Sequence, residues 1–185
     1  VGEKLSIVSA KAHTTRHRIL GVLNLGADQA VFIDTPGTQR NKKYALHRLM
    51  ARTISQALAE ADLILMVIEA PKFTRQDHQL AELLRDKADK TIVVVNKVDV
   101  VRQKAELLPL LEKIDADFPC AAFVPISAVK GTNIPELIAE TFARLPHGPA
   151  LFPREMVTDR GLQFRISEVI REKLLSAVHQ EVPYG

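Results

Sequence analysis

Cysteine is almost absent: Cys120 is the only one in 185 residues. That excludes a disulfide framework and a thiolate metal site, and a reducing compartment is the simplest reading. A surplus of one charge is lacking too. Twenty-five Lys and Arg against 22 Asp and Glu give a net charge of +3 and a pI near 9.1, which tolerates an anionic partner without demanding one. No apolar run approaches the length of a membrane span and no stretch reads as a secretory signal, so any membrane contact is expected to be peripheral. There is no internal repeat and no low-complexity tract. What is present is a core: 46% apolar and 25% charged residues suit about one ordinary domain plus a tail and exclude global disorder.

Short β-rich runs alternate with amphipathic helical stretches. Arg18 to Leu25 and Gln29 to Ile33 read as strands joined by Gly26-Ala27-Asp28, a hairpin signal. Leu63 to Glu69, Thr91 to Val95 and Ala121 to Ile126 are nearly all apolar, as in parallel strands covered on both faces. Between them, Asn41 to Leu58 carries Leu46, Leu49, Met50 and Ile54 near a 3.6 period. Thr74-Arg75-Gln76-Asp77 reads as a capping box, followed by Leu80, Leu83 and Leu84 on one face. Leu107, Leu108, Leu111 and Ile114 mark a further helix, which Pro109 is expected to kink or break. Asn133 is expected to cap the next one, with Pro135 tolerated in its first turn. Strands alternating with helices imply βαβ crossovers and a mostly parallel α/β sheet with one antiparallel hairpin. Three prolines and a glycine between Pro146 and Pro153 place a boundary there. Beyond it a helix is expected to start at Thr158 or Asp159, with Ile166, Val169, Ile170, Leu174 and Val178 on one stripe and Arg165, Glu168, Arg171 and Glu172 opposite.

Four segments carry chemistry. Asn96-Lys97-Val98-Asp99 follows a buried strand and so lies at a carboxyl end, where open α/β sheets bind ligands. The Asp99 carboxylate can accept two hydrogen bonds from the ring N–H and exocyclic amine of guanine. Adenine offers no such pair and would leave the charge unpaired. Asn96 can brace the loop and the purine edge while the stem of Lys97 covers the base. An ordinary polar loop is the alternative for these four residues taken alone. Asp34-Thr35-Pro36-Gly37 ends the Gln29 to Ile33 strand; Asp34 can reach a Mg2+ ion through water, and the Gly37 N–H can approach a terminal phosphate oxygen. The same four residues also fit a β-turn, but their place 62 residues ahead of Asn96, with two βα units between, favours the phosphate reading. Thr14-Thr15-Arg16 sits in a basic stretch where one hydroxyl, Thr15 by preference, could ligate Mg2+; a solvated loop is the alternative. The backbone N–H groups of Ser127-Ala128 could bond guanine O6. No general base emerges: Thr38 follows Gly37 where Ras-like proteins carry a water-orienting glutamine, and Gln39 comes one residue later.

These segments, with Ile7-Val8-Ser9, Arg48-Leu49-Met50, Ile170-Arg171-Glu172-Lys173-Leu174 and Val182-Pro183-Tyr184, closely resemble the Era family of bacterial GTPases (the TrmE-Era-EngA type) over essentially the whole chain. The resemblance implies a P-loop NTPase-type α/β domain over residues 1–146, a linker over 147–157 and the start of an α+β KH-type RNA-binding domain over 158–185. It implies GTP or GDP with Mg2+ as ligand, held by Asp34, Thr35, Pro36, Gly37, Thr38, Asn96, Lys97, Val98, Asp99, Ser127 and Ala128. Thr14, Thr15 and Arg16 then form a switch region, with Thr15 and Asp34 toward the metal. Members of the family bind the 3′ end of 16S rRNA, assist assembly of the small (30S) ribosomal subunit, sit in the cytoplasm with peripheral inner-membrane association, and are expected to be monomers.

Two departures stand out. The Gly-x-x-x-x-Gly-Lys-Ser/Thr loop that cradles phosphates is missing, and Gly2-Glu3-Lys4 is no substitute because glycine and lysine are not adjacent. No Gly-x-x-Gly pair, the RNA clamp of KH domains, occurs either. The expectation is therefore a piece of a longer protein whose GTP affinity, as these 185 residues alone, falls far below that of an intact relative. The competing readings are a nucleotide-independent RNA- or protein-binding scaffold that lost its phosphate loop, and a sibling GTPase with a different appended domain. Asn96 and Asp99 argue against the scaffold, since a site that reads no base has no physical need of them.

Overall fold

The computed structural model describes residues 2, 5, 18–35 and 54–177, which fall into two compact units, Val1–Glu60 with Gly148–Gly185 and Ala61–His147. The helix expected over Asn41 to Leu58 lies largely outside the described residues; positions 54–60 are helical.

In the second unit three parallel strands, β3 (Ile64–Glu69), β4 (Thr91–Asn96) and β5 (Ala122–Pro125), lie in the order β3-β4-β5. The central strand is buried from Thr91 to Val95, as the apolar run demands of a strand covered on both faces. Ile92 and Val94 cluster with Val124 and Ile126, against which Leu63, Leu65, Ile134 and Leu137 pack. Val93 and Val95 alternate to the other face, in register with Met66 and Ile68. Helix α1 (Arg75–Leu83) opens with the expected reciprocal cap: Asp77 N–H donates to Thr74 Oγ1 at 3.3 Å and Thr74 N–H to Asp77 Oδ2 at 2.7 Å. Its buried positions are Ala81 and the capping Leu84; of the three leucines read off the sequence Leu84 is buried, Leu80 half-buried and Leu83 exposed.

Helix α2 (Leu107–Asp117) is entered from a 3-10 turn at Lys104–Glu106. Pro109 neither kinks nor breaks it, because it falls in the first turn, where an N–H would have no intrahelical acceptor. Leu110 and Ile114 face inward and Leu108 outward. Helix α3 (Ile134–Arg144) carries a proline in its first turn and Asn133 at its N-cap position, as expected, but the Asn133 side chain makes no cap hydrogen bond. Asn133 adopts a left-handed conformation (φ 55°) and its Nδ2 donates to Pro125 O at 2.8 Å, tying the helix start to β5.

In the first unit β1 (Ile19–Leu25) and β2 (Asp28–Asp34) form the expected antiparallel hairpin, Ile19 opposite Asp34 and Leu25 opposite Asp28. Gly26 supplies the positive φ (59°) of its two-residue turn. The edge of β1 away from β2 is stitched to residues 157–159. Val22 N–H donates to Val157 O at 2.8 Å, Gly21 bridges Thr158, and Leu20 N–H donates to Asp159 Oδ1 at 3.2 Å. Because Thr158 and Asp159 are occupied in this way, helix α4 begins at Leu162 and runs to Ala177, later than the sequence suggested. Of the expected apolar stripe, Ile166, Val169, Ile170 and Leu174 are exposed, as is Leu162, and Val178 lies outside the described residues, while Glu168 and Arg171 are half-buried and paired at 2.7 Å.

Candidate functional site

The carboxyl end of β4 builds the site in the second unit. After Asn96 the chain turns left-handed at Lys97 (φ 64°, ψ 32°) and enters a 3-10 turn over Val98–Val100. Asn96 Oδ1 accepts from the N–H of Lys97 at 2.7 Å and from the N–H of Ala128 at 3.0 Å. Val98 N–H donates to Ile126 O at 3.1 Å. One asparagine oxygen therefore ties the end of β4 to the loop after β5, and a two-acceptor carbonyl is the chemistry that double contact needs.

Asp99 stands exposed on this loop. Ser127, wholly buried, donates its hydroxyl to Asp99 Oδ1 at 2.6 Å and accepts from Lys130 N–H at 3.2 Å. That hydroxyl holds the Asp99 carboxyl below the usual aspartate range, with Lys130 and Lys97 adding to the effect. The result is an outward-facing, ionised double acceptor whose orientation is set by a buried serine. Each of its oxygens keeps acceptor capacity for a ligand carrying two adjacent N–H donors.

A depressed folded-state value gives stability that is fully present above the ordinary aspartate range and is lost as pH falls through the lowered value. Ser127→Ala is expected to shift the Asp99 titration back up toward that ordinary range, as read by NMR of the carboxyl carbon. A titration that stays where it was would show that the hydroxyl is not what depresses it.

Asn96, Lys97, Asp99, Ser127 and Ala128 are thus brought together. The Ser127 N–H is engaged by Thr132 O at 3.1 Å and the Ala128 N–H by Asn96, so a purine O6 at this loop would have to share the Ala128 donor. Asp34 and Thr35 belong to the first unit, where Asp34 ends β2 half-buried. Thr14, Thr15, Arg16, Pro36, Gly37 and Thr38 lie outside the described residues. Sequence reasoning missed Glu69. It ends β3 opposite Asn96 in the ladder, and Lys97 Nζ pairs with its Oε2 at 2.6 Å. The signal was a carboxylate closing an apolar strand at the ligand-binding edge of the sheet.

A family described as 50S ribosome-binding GTPase matches residues 1–97. GTPase Era of Bordetella petrii is 48% identical over all 185 residues, and that of Glaesserella parasuis serovar 5 is 42% identical over an alignment of 187. The chain spans 62% of the length of these relatives. Among solved structures, a crystal structure of Era in complex with MgGDPNP and nucleotides 1506–1542 of 16S ribosomal RNA superposes with a TM-score of 0.93 at 39% identity, over 99% of this chain and 62% of that one. A variant of Aquifex aeolicus Era bound to GDP and AlF4− has the same TM-score, identity and coverage.

Proposed function

Because the chain belongs to the 50S ribosome-binding GTPase family, whose match covers just over half of it, we propose that the intact protein is an Era-type GTPase, a switch that binds and hydrolyses GTP and binds 16S ribosomal RNA. The observation that carries this reading is the ionised Asp99 carboxylate at the end of β4, aimed by Ser127. Two parallel acceptors match the ring N–H and exocyclic amine of guanine, and Lys97 supplies an aliphatic stem beside them. A scaffold without nucleotide would have no use for a carboxylate that a buried serine orients outward on this loop.

Asp34 is the proposed metal-side residue, with Thr15 its partner and Thr14 to Arg16 the switch segment. Among the described residues no three His, Cys, Asp or Glu side chains group to hold a metal. A single hard carboxylate at a strand's end fits Mg2+ when phosphate oxygens and water supply the remaining ligands. When bound, the ion neutralises charge on the phosphates. Thr35 to Thr38 lie next to Asp34 in the chain and are proposed to face the terminal phosphate, with no side chain assigned as general base.

The RNA reading rests on likeness over the full chain to Era, one solved form of which carries 16S nucleotides with MgGDPNP. The family description mentions the 50S particle, but the whole-chain relatives are Era, and 16S rRNA belongs to the small subunit. Small-subunit assembly is therefore the role favoured. The exposed apolar stripe of α4 suits the opening helix of a KH-type domain over residues 158–185, following a GTPase domain over 1–146 and a linker over 147–157. A monomeric cytoplasmic protein with peripheral contact at the inner membrane completes the proposal. Among the described residues no helix is long and apolar enough to cross a membrane.

The test is competition on the full-length protein. Fluorescent GDP bound in the presence of Mg2+ is expected to be displaced by GTP at concentrations at least about 100-fold lower than by ATP, since a site built for two donors rejects a base lacking them. Equal displacement by the two nucleotides would overturn the reading.

A further inference from the structure

We propose that Glu69 is a positioning residue of the guanine loop, acting through Lys97; the proposal rests on the guanine-nucleotide reading above and deepens it. β3 and β4 run parallel in a register that sets Glu69 opposite Asn96, and Ala70 N–H donates to Asn96 O at 2.9 Å. The end of β3 is thereby fixed to the first residue of the loop. One residue later Lys97 is left-handed, a conformation that a side-chain-bearing L residue keeps only where its surroundings over-determine it.

Two contacts do so, one at each end of the residue. The Lys97 N–H donates to Asn96 Oδ1, and its ammonium donates to Glu69 Oε2 at 2.6 Å. With the backbone held at Asn96 and the ammonium at Glu69, the four-carbon stem between them is tethered at both ends before any ligand arrives. A free lysine would lose rotamer freedom on covering the base, and a side chain already tethered loses less. Glu69 makes no contact with the base in this scheme; it orders the surface against which the base lies.

Both side chains are about half exposed, at 49% and 62%, and an exposed ion pair ordinarily contributes little to folding. The expected effect is therefore on ligand binding, with the fold unchanged. A double-mutant cycle on the full-length protein separates the two. Lys97→Met keeps an unbranched stem and removes the charge.

Glu69→Gln alone is expected to weaken fluorescent-GDP binding about 5-fold, a coupling of the size contacting residues show. The change should lie mostly in faster release and shrink in high salt. In the Lys97→Met background the same substitution is expected to change nothing further, and the thermal midpoint should stay put in both. An equal loss in the two backgrounds would mean that Glu69 acts on the fold rather than through Lys97, and no loss in the native background would remove its role altogether. Either result overturns the proposal while guanine binding by the native protein stands. Absence of guanine binding by the native protein overturns the functional reading instead, and this one with it.

Discussion

Asp99→Ala in the full-length protein is expected to weaken GTP and GDP binding roughly 100- to 1,000-fold, because two hydrogen bonds to a charged acceptor disappear together. Stability should fall only modestly, since Asp99 is exposed and its side-chain partner among the described residues is the Ser127 hydroxyl. The buried Ser127 keeps Lys130 N–H as a donor to its oxygen, so the remaining cost is one hydroxyl hydrogen without its acceptor. Asp99→Asn probes the same geometry by another route. An amide presents one acceptor and one donor, so one of the two guanine donors would face an N–H. Xanthine carries a carbonyl where guanine carries the amine, and it matches the amide. The preference is therefore expected to move from guanosine toward xanthosine nucleotides, as measured by displacement of fluorescent GDP and fluorescent xanthosine diphosphate. Asp99→Ala binding GDP as the native protein does would remove Asp99 from the site.

What the sequence made legible here was contiguous chemistry. Asn96 to Asp99 can be read as four consecutive residues at the end of an apolar run, and the Thr74–Asp77 cap depends on a spacing of three. Both survive folding because the partners are neighbours in the chain. The contacts that tune the site are of another kind. Ser127 reaches Asp99 across 28 residues, and Glu69 reaches Lys97 across the same interval. Order along the chain placed Ser127 and Asp99 in one site but did not suggest that they bond, and only the parallel register of β3 and β4 brings Glu69 to Lys97.

Errors followed from the same cause. Asn133 stands at the N-cap position, yet its backbone is left-handed and its Nδ2 is tied to Pro125 O, and in that orientation its Oδ1 makes no cap bond. Leu83 and Leu108 fit an apolar period by identity, but the position of the sheet turns them outward and brings Ala81 and Leu110 in. Leucine at helical spacing marks a helix well and its inward face less well, since several faces of a short helix can hold three leucines. On α4 the apolar stripe was legible and its exposure was not, because a pattern in the chain does not say which surface covers it.

The largest stability effect is expected at Gln29, which nothing in the sequence singles out. Its Oε1 accepts from the N–H groups of Leu151 and Phe152 at 2.9 and 3.0 Å, and its Nε2 donates to Phe152 O and Asn24 Oδ1, each at 2.9 Å. All of these contacts lie within the first unit. Pro149 and Pro153 have no N–H to donate, so the donors between them are few, and this one side chain takes two. Asn24 extends the seam by donating to Arg154 O at 2.9 Å, and the β1 edge continues it to Val157, Thr158 and Asp159. Gln29→Ala leaves the part-buried N–H and carbonyl of Phe152 and the exposed N–H of Leu151 to find water instead, at a cost of about 1–2 kcal/mol. Hydrogen exchange should report the loss where it arises. Amides of Leu151 and Phe152 are expected to lose protection strongly and Val22 more weakly, while those of β4 in the second unit keep theirs. Urea unfolding of the first unit should move to lower concentration by the same free energy. Unchanged protection at Leu151 and Phe152 would mean that the strap holds through its backbone bonds to β1 alone, and that a glutamine making four hydrogen bonds contributes shape rather than stability.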